Sequence, residues 1–243
     1  MNRLLIPVLT ASLIALGACA QPVGDSNRDA TRIAASNPAL TGGELKGTRW
    51  RLMSYGTYSA PQHVIDDLQN VAFLQFDAKE QRFGGSTGCN RFFGEYRQIG
   101  DAEISIGQMG STRMACLGQL DQQERDVLDL LSHATAYGVA EDQLTIATAD
   151  GRSLTFAAVG PDTQQRYHCD GGENLDTTYS PLTGQLVLRR GDGKATTLLP
   201  EPKADGASFT NDSYRFWSKG DGALFEDLTT ASQQQCRREA SEQ

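Results

Sequence analysis

Cysteine is the residue type whose number and spacing say most about chemistry in this chain of 243 residues. Cysteines occur at five positions, Cys19, Cys89, Cys116, Cys169 and Cys236. If Cys19 is modified and the chain is exported, an even set of four is left in an oxidising compartment, where cysteines form disulfides. Four cysteines allow three connectivities. Local pairing, Cys89 with Cys116 and Cys169 with Cys236, keeps each bond inside one predicted domain.

Metal ligation and catalysis have weaker support in the sequence. No Cys-x-x-Cys pair occurs, and His63, His133 and His168 are far apart, so we expect no metal, no redox site and no cofactor. The chain also has no Gly-x-x-x-x-Gly-Lys-Ser/Thr phosphate-binding motif and no His-Glu-x-x-His zinc motif. We therefore expect that the protein is not an enzyme. An enzyme with an unrecognised site is kept as an alternative.

Several residues have both a functional and a structural interpretation. The glycine-rich residues 84–88 could bind an anion through backbone N–H groups, but we favour a tight turn that presents Cys89 to a disulfide. Asn90 and Arg91 could form a polar recognition pair, or they could hydrogen-bond within their own loop, which we favour. The two tryptophans, Trp50 and Trp217, are predicted to be core residues.

The charge balance excludes one class of partner. The chain holds 22 Lys and Arg against 30 Asp and Glu, which gives a formal net charge of −8. Such a surface repels phosphate backbones, so we expect no nucleic-acid binding. The same surface would attract a basic protein partner.

The N-terminus is typical of an exported protein. Arg3 precedes an apolar run over residues 4–16, which as a helix would span ~20 Å, too little for a ~30 Å hydrocarbon core. We therefore expect residues 1–18 to be a signal peptide. Residues 16–19, Leu-Gly-Ala-Cys, look like a bacterial lipobox, which implies that Cys19 is acylated and anchors the mature chain. Ala20 after that cysteine implies sorting to the outer membrane, with the protein facing the periplasm.

A predicted tether leads into the first folded block. Residues 19–43 are small, polar and turn-rich, and we expect a lipidated N-terminus followed by a flexible segment. Residues 44–160 alternate apolar and polar residues in short segments typical of strands. Residues 121–136 differ, because apolar residues recur there at helical spacing, which predicts a helix. The predicted strands of this block are 48–55, 71–77, 82–84, 92–97, 103–106, 143–147 and 153–157.

A Gly-Pro break at residues 160–161 leads into a second block, residues 161–238, with a short tail at 239–243. Short strands separated by turn residues suggest a small antiparallel barrel or sandwich. The predicted fold is therefore mainly β, with an N-terminal β-rich domain that carries one helix and a C-terminal small antiparallel β-barrel. The predicted strands of the second block are 166–169, 175–179, 185–189, 196–199, 213–218 and 223–227.

Three motifs follow one another in the first block. They are Gly-Thr-x-Trp at residues 47–50, Gly-x-x-Gly-Cys-Asn-Arg-Phe-x-Gly-x-Tyr at 85–96 and Met-x-x-Thr-Arg-Met-Ala-Cys at 109–116, with Glu124 downstream. With these motifs the block resembles the META (HslJ-like) domain. The resemblance implies a compact β-structure with a helix, and a poorly defined activity loosely linked to stress and envelope biology.

The second block carries a different set of motifs. Tyr-x-Cys-x-x-Gly stands at residues 167–172, Ala-Asp-Gly-Ala-Ser-Phe at 204–209 and Phe-Trp-Ser-Lys-Gly-Asp-Gly-Ala at 216–223, before the last cysteine. With these motifs the block resembles the membrane-bound inhibitor of c-type lysozyme (MliC-like). The resemblance implies that Cys169, near the first strand, pairs with Cys236.

In that family two loops enter the lysozyme cleft, one with a serine and one with a lysine in a Lys-Gly-Asp turn. The resemblance implies that Lys219, followed by Gly220, is the inhibitory lysine. At the serine position this chain has Asp205, followed by Gly206. An ionised Asp205 facing the catalytic carboxylates would be repelled, at a cost on the order of 1–4 kcal/mol. It escapes that cost if it pairs with Lys219 or a cleft arginine, or takes up a proton.

These inferences combine into one leading hypothesis and a rival. The leading hypothesis is an envelope lipoprotein, attached to the outer membrane only through its lipid anchor, whose C-terminal domain inhibits c-type lysozyme. Such lysozymes are typically strongly basic, which suits the acidic chain. The rival is a structural or stress-related envelope protein whose C-terminal domain is degenerate and no longer inhibits.

Overall fold

The computed structural model describes residues 40–45, 47–65, 70–191 and 193–240. The predicted signal peptide, the acylated Cys19 and most of the predicted tether lie outside the described residues. Within them, the chain forms two antiparallel β-barrels in succession and a single α-helix, which belongs to the first barrel. This confirms the predicted mainly β fold. No helix in the described ranges is both long and apolar enough to cross a bilayer.

The first barrel is built from strands that pair mostly with their sequence neighbours. β1 pairs with β3, the order then runs through β9, and β9 returns to β1 to close the barrel. The short β2 pairs with the second half of β1, beyond the end of β3. The elements are β1 Arg49–Thr57, β2 Ala60–His63, β3 Ala72–Asp77, β4 Arg82–Thr87, β5 Arg91–Ile99, β6 Glu103–Ser111, α1 Gln119–Ser132, β7 Ala134–Ala140, β8 Gln143–Thr148 and β9 Arg152–Val159.

Alternation along the strands places one face in the core. In β5 the side chains of Phe92 and Tyr96 are buried, whereas Arg91 and Phe93 between and before them are exposed. Helix α1 packs its apolar face against the same core, with Leu130 and Leu131 almost fully buried. Trp50 is 2% exposed within this core, which confirms its predicted position.

The helix is shorter than the sequence predicts. It was expected over residues 121–136, but it ends at Ser132, and strand β7 begins at Ala134. The alanines there are compatible with either structure, and pairing decides between them: Tyr137 and Val139 of β7 face Ile146 and Leu144 of β8 across the ladder. The predicted segments 82–84 and 103–106 are also only the first parts of β4 and β6.

The second barrel is a closed eight-stranded meander in which β17 returns to pair with β10. Its core contains Tyr167, Phe216 and Phe225, with Tyr167 and Phe216 in an edge-to-face contact at 5.2 Å between ring centroids. The strands are β10 Thr163–Cys169, β11 Asn174–Ser180, β12 Gln185–Arg190, β13 Thr196–Glu201, β14 Ala207–Thr210, β15 Tyr214–Lys219, β16 Gly222–Asp227 and β17 Ser232–Arg238.

The end of the predicted tether packs against the first barrel. Leu40 is 4% exposed and Leu45 is 1% exposed, and the Val139 N–H donates to the Gly42 carbonyl at 2.8 Å. Residues 40–43, assigned to the tether from their composition, are therefore part of the folded structure. The chain thus meets the barrel at strand β7.

An arginine joins the two barrels at their junction. Arg49, at the start of β1, donates through Nη2 to the Gly160 carbonyl at 3.0 Å and to Asp162 Oδ1 at 2.7 Å. The guanidinium holds the pKa of Asp162 below its usual range, mainly through this hydrogen bond. The short connection between β9 and β10 is thereby fixed to the first strand of the first barrel.

Candidate functional site

Hairpin β15–β16 presents the lysine singled out in the sequence. Lys219 pairs with Gly222 as the last rung of the ladder, so Gly220 and Asp221 form the tip. Gly220 has φ +59°, a conformation that favours glycine. The Lys219 side chain is 59% exposed. The hairpin therefore projects an ammonium group from the rim of the C-terminal barrel.

The loop between β13 and β14 lies directly beside this hairpin. Gly206 has φ +72°, and a Cβ there would lie 2.4 Å from the Ser218 carbonyl oxygen and 2.8 Å from Trp217 Nε1. Only glycine allows so close an approach. Trp217 Nε1 donates to the backbone oxygen of Asp205 at 2.8 Å. Lys203 lies over the Trp217 ring, 5.7 Å from its centroid.

The two predicted site residues of opposite charge contact each other. Lys219 Nζ forms an ion pair with Asp205 Oδ2, and both side chains are more than half exposed. Such an exposed pair contributes less than about 1 kcal/mol to stability. The structure therefore brings together all four residues predicted for the inhibitory site, Asp205, Gly206, Lys219 and Gly220. Their role in inhibition stays a prediction.

Trp217 is not a core residue, contrary to the sequence-based expectation. Successive side chains of a strand point to opposite faces, and Phe216, at 2% exposure, occupies the inward position. Trp217 is half-buried on the outer face, against Gly206 and Lys203. The β13–β14 loop packs against its indole ring.

A groove of about 600 Å³ opens next to this loop. Gly206 and Ser218 line its side toward the hairpin, and the aromatic rings of Tyr179 and Phe209 line its apolar part. At its edge Glu201 Oε2 accepts hydrogen bonds from Ser208 Oγ at 2.9 Å and Arg215 Nε at 3.2 Å. The bond from Ser208 and the nearby guanidinium hold the pKa of Glu201 below its usual range.

Both disulfides form in the local pattern. Cys169 of β10 is bonded to Cys236 of β17, which ties the first strand of the second barrel to its last. Cys89, in the turn after β4, is bonded to Cys116 ahead of α1. The pairing predicted within each domain is confirmed.

Asn90 is the centre of a polar cluster at the end of the first barrel. The residue is 2% exposed. Its Oδ1 accepts hydrogen bonds from Thr112 Oγ1 at 2.7 Å and from the Met114 N–H at 2.8 Å. Its Nδ2 donates to Glu124 Oε2 at 2.9 Å and to the Met114 carbonyl at 3.0 Å. Asn90 therefore bonds within its own domain, but its side-chain partners lie mainly outside its own loop, in the segment ahead of α1 and on α1.

The glycine-rich residues 84–88 are not a loop over most of their length. Residues up to Thr87 belong to β4, and only Gly88 lies in the turn before Cys89. The segment also matches the Gly-x-Ser-x-Gly pattern of hydrolase nucleophiles, which requires a sharp turn from a strand into a helix. Ser86 instead pairs with Arg91 of the next antiparallel strand, and its Oγ accepts a bond from the Gly88 N–H at 3.1 Å.

The fold and the exposed hairpin define a class: a protein of two antiparallel barrels, the second of which presents a cationic loop. Comparisons with known families identify the two barrels. Residues 43–160 match the META domain, and residues 167–234 match the membrane-bound lysozyme inhibitor of c-type lysozyme. The chain therefore matches, in this order, a META domain and a domain of that lysozyme-inhibitor family.

Individual relatives cover parts of the chain. A membrane-bound lysozyme inhibitor of C-type lysozyme from Cupriavidus necator is 37% identical over 68 residues, which are 27% of this chain and 54% of that protein. The chain thus spans about half the length of this curated relative. Among solved structures, an NMR structure of a protein from Burkholderia xenovorans is 29% identical, with a TM-score of 0.45, 51% of this chain covered and 90% of the other. A crystal structure of a DUF4847 family protein from Bacteroides vulgatus is 16% identical, with a TM-score of 0.33, 49% of this chain covered and 93% of the other.

Proposed function

We propose that the C-terminal barrel inhibits c-type lysozyme by placing the tip of hairpin β15–β16 in the enzyme's active-site cleft. The observation that carries the proposal is the exposed Lys219 ammonium at the rim of a barrel that matches the inhibitor family. We further propose that the mature chain is anchored through Cys19 in the outer membrane and faces the periplasm. The Cupriavidus relative is named as a membrane-bound inhibitor, which supports attachment to a membrane.

The chemistry of the target explains why an ammonium group would inhibit it. Glycoside cleavage by lysozyme uses a protonated carboxyl group as acid and a second, ionised carboxylate in the same cleft. An ammonium on a rigid turn pairs with these groups and occupies the place of the scissile bond. The short turn at Gly220 and the ladder up to Lys219 limit the freedom of the tip, so little conformational entropy is lost on binding.

Asp205 must be accommodated in the same cleft. In the free protein its charge is neutralised by Lys219. The ion pair can therefore enter the cleft with almost no net charge. If Lys219 turns toward the enzyme's carboxylates instead, Asp205 is left facing charges of its own sign, which weakens binding. We therefore propose inhibition that is weaker than in relatives with serine at this position.

One observation favours a second candidate function. Asp205 already forms an ion pair with the Lys219 ammonium. The second candidate is therefore a domain that has lost inhibition and serves as a structural or stress-related part of the envelope. The META domain has a scaffolding or stability role and no turnover in either case. Inhibition assays separate the two candidates.

The test is the competitive inhibition of a c-type lysozyme by the mature protein and by Lys219→Ala. We expect the wild-type protein to raise the apparent KM of the lysozyme with little effect on kcat, because it occupies the cleft. Lys219→Ala should raise the inhibition constant at least about tenfold, the equivalent of about 1.4 kcal/mol. Lys194→Ala, an exposed lysine of the β12–β13 loop, is the matched control. Equal inhibition by both variants would rule out the hairpin mechanism.

A further inference from the structure

The polar cluster around Asn90 contains a group of residues that the proposed function does not use. Cys89, Cys116 and Glu124 each offer a ligand atom, and these atoms lie within 4.8 Å of one another. Among the described residues this is the one cluster of three such ligands. In the sequence these cysteines form no Cys-x-x-Cys pair and the histidines are far apart, which predicts no metal site. The fold brings together residues that are far apart in the chain.

The distances suit a tetrahedral metal centre. With metal–sulfur bonds of about 2.3 Å and metal–oxygen bonds of about 2.1 Å, a sulfur and an oxygen ligand lie about 3.6 Å apart. Cys116 Sγ lies 3.3 Å from Glu124 Oε2. Small side-chain rotations at Cys89 and Cys116 would bring a released pair of thiolates to the remaining positions. The fourth position would take a water molecule.

The surrounding residues already hold the ligands in place. Asn90 is almost fully buried, and its Nδ2 lies 3.1 Å and 2.9 Å from the two Glu124 oxygens and 3.3 Å from Cys116 Sγ. Thr87 Oγ1 lies 3.1 Å from Glu124 Oε2. Donors of this kind orient metal-bound carboxylates and stabilise thiolates. A disulfide sulfur is only a weak acceptor, so the amide is better matched to a thiolate than to the oxidised pair.

We propose that the META domain binds one zinc ion through Cys89, Cys116 and Glu124 when its disulfide is reduced. The reductant is an external dithiol: its two thiols are oxidised to a disulfide, and Cys89–Cys116 is reduced to two thiols. Zinc then displaces the two thiol protons, which pass to water. In the reverse step an external disulfide is reduced to two thiols, the Cys89–Cys116 disulfide forms again, and zinc is released. The domain would thus exchange a covalent crosslink for a metal crosslink between the same two loops.

The second disulfide provides an internal comparison. Cys236 Sγ lies 3.9 Å from the backbone oxygen of Gln234. Within the described part of the chain no carboxylate completes a ligand set around Cys169 and Cys236. Reduction of this bond should therefore produce two free thiols and no metal site.

The experiment uses the full mature chain with Cys19→Ala, which removes the unpaired thiol. The protein is reduced with a phosphine in the absence of oxygen and titrated with Co²⁺, whose visible absorption reports tetrahedral geometry and whose ultraviolet charge-transfer band reports thiolate ligands. We expect one Co²⁺ per chain, displaced by Zn²⁺. Glu124→Gln should weaken binding about tenfold or more, whereas Asp121→Asn, on the same helix but outside the cluster, should not change it.

A second measurement needs no variant of the cluster. Zinc should slow the alkylation of Cys89 and Cys116 in the reduced protein while leaving Cys169 and Cys236 reactive, as read by mass spectrometry. The proposal is overturned by the absence of a cobalt–thiolate band, or by the same band in Cys89→Ser/Cys116→Ser. Equal alkylation of both cysteine pairs in the presence of zinc would also overturn it.

Discussion

Lys219 and Asp205 neutralise each other at the rim of the C-terminal barrel. The pair is exposed, so water screens it and little energy is needed to separate the two groups. Close to the carboxylates of an enzyme cleft, where water is excluded, the same charges interact far more strongly. A contact that matters little for stability can therefore change affinity.

Replacement of Asp205 by serine tests this balance. Asp205→Ser frees Lys219 and removes a negative charge that faces the cleft, so the inhibition constant should be unchanged or fall by up to about tenfold. Asp212→Ser, at an exposed position of the same barrel, should have no effect. The measurement is lysozyme inhibition at fixed ionic strength. A large loss of inhibition in Asp205→Ser would show that Asp205 itself binds the enzyme.

A second set of ionic contacts, around the part-buried Arg190, joins strands of the C-terminal barrel. The Arg190 guanidinium lies over the rings of Tyr214 and Phe225, 5.3 and 5.1 Å from their centroids, and donates to Glu173 and Asp227. Hydrogen bonds from Thr229 and from Arg190 lower the pKa of Asp227 to about 2. Because the folded-state pKa is depressed, this contribution is present above the ordinary value of 3.8 and is lost as pH falls through about 2.

Asp227→Asn should therefore make the C-terminal barrel less sensitive to acid. The variant should be less stable than the wild type at neutral pH, because Arg190 loses a charged partner. Its free energy of unfolding should then fall less between pH 4 and pH 2. Denaturant unfolding at several pH values measures the difference, with Asp212→Asn as the exposed control. Parallel pH profiles for the wild type and Asp227→Asn would contradict this assignment.

At the scale of elements, closure of each barrel depends on contacts between segments distant in sequence. The second barrel closes where β10 meets β17, and the disulfide between Cys169 and Cys236 lies at this seam. In the first barrel β9 returns to β1, and helix α1 is tied to β4 by Gln123, whose Nε2 donates to the Thr87 carbonyl at 2.7 Å.

Removal of the second disulfide should have the larger effect on stability. It closes a separation of 67 residues, and the chain-entropy model gives about 4 kcal/mol for a loop of that size. The first disulfide closes 27 residues and should contribute somewhat less, about 3.5 kcal/mol. Urea unfolding of Cys169→Ser/Cys236→Ser and of Cys89→Ser/Cys116→Ser gives the order. The reverse order would show that strain or residual structure dominates over loop closure.

Several elements were predictable from the sequence, and the exceptions have physical causes. Strands with clear alternation, such as β3 and β12, were predicted nearly to their ends. Strand β17 was missed because six of its seven residues are polar and only Cys236 is buried. The end of α1 was misplaced because alanines suit both structures and only pairing with β8 decides.

The candidate site was predictable only in part. The glycines and the lysine were identified through their turn positions and the family resemblance. The outward position of Trp217 depends on the strand register, because a shift of one residue exchanges the two faces of the strand. The pairing of Cys89 with Cys116 was predicted, but the position of Glu124 beside Cys116 depends on how α1 packs near β4. No local pattern in the sequence contains that information.

At the scale of the whole molecule, each barrel has its own core and its own disulfide, and Arg49 joins them at the junction. The two barrels therefore have separate cores, each crosslinked by one disulfide. Residues 166–236 hold seven Lys and Arg against ten Asp and Glu. We expect this net negative charge to speed encounter with a basic protein partner, by an amount that falls as salt rises.

The most direct test of the central claim is the residual activity of a c-type lysozyme on bacterial cell walls, measured against increasing concentrations of the mature protein. We expect hydrolysis by the lysozyme to fall toward zero when the wild-type protein is present at micromolar concentration. With Lys219→Ala at the same concentrations, most of the lysozyme activity should remain. If the wild-type protein leaves hydrolysis by every c-type lysozyme tested unchanged at micromolar concentration, the inhibitor function is contradicted and the degenerate-domain alternative takes its place.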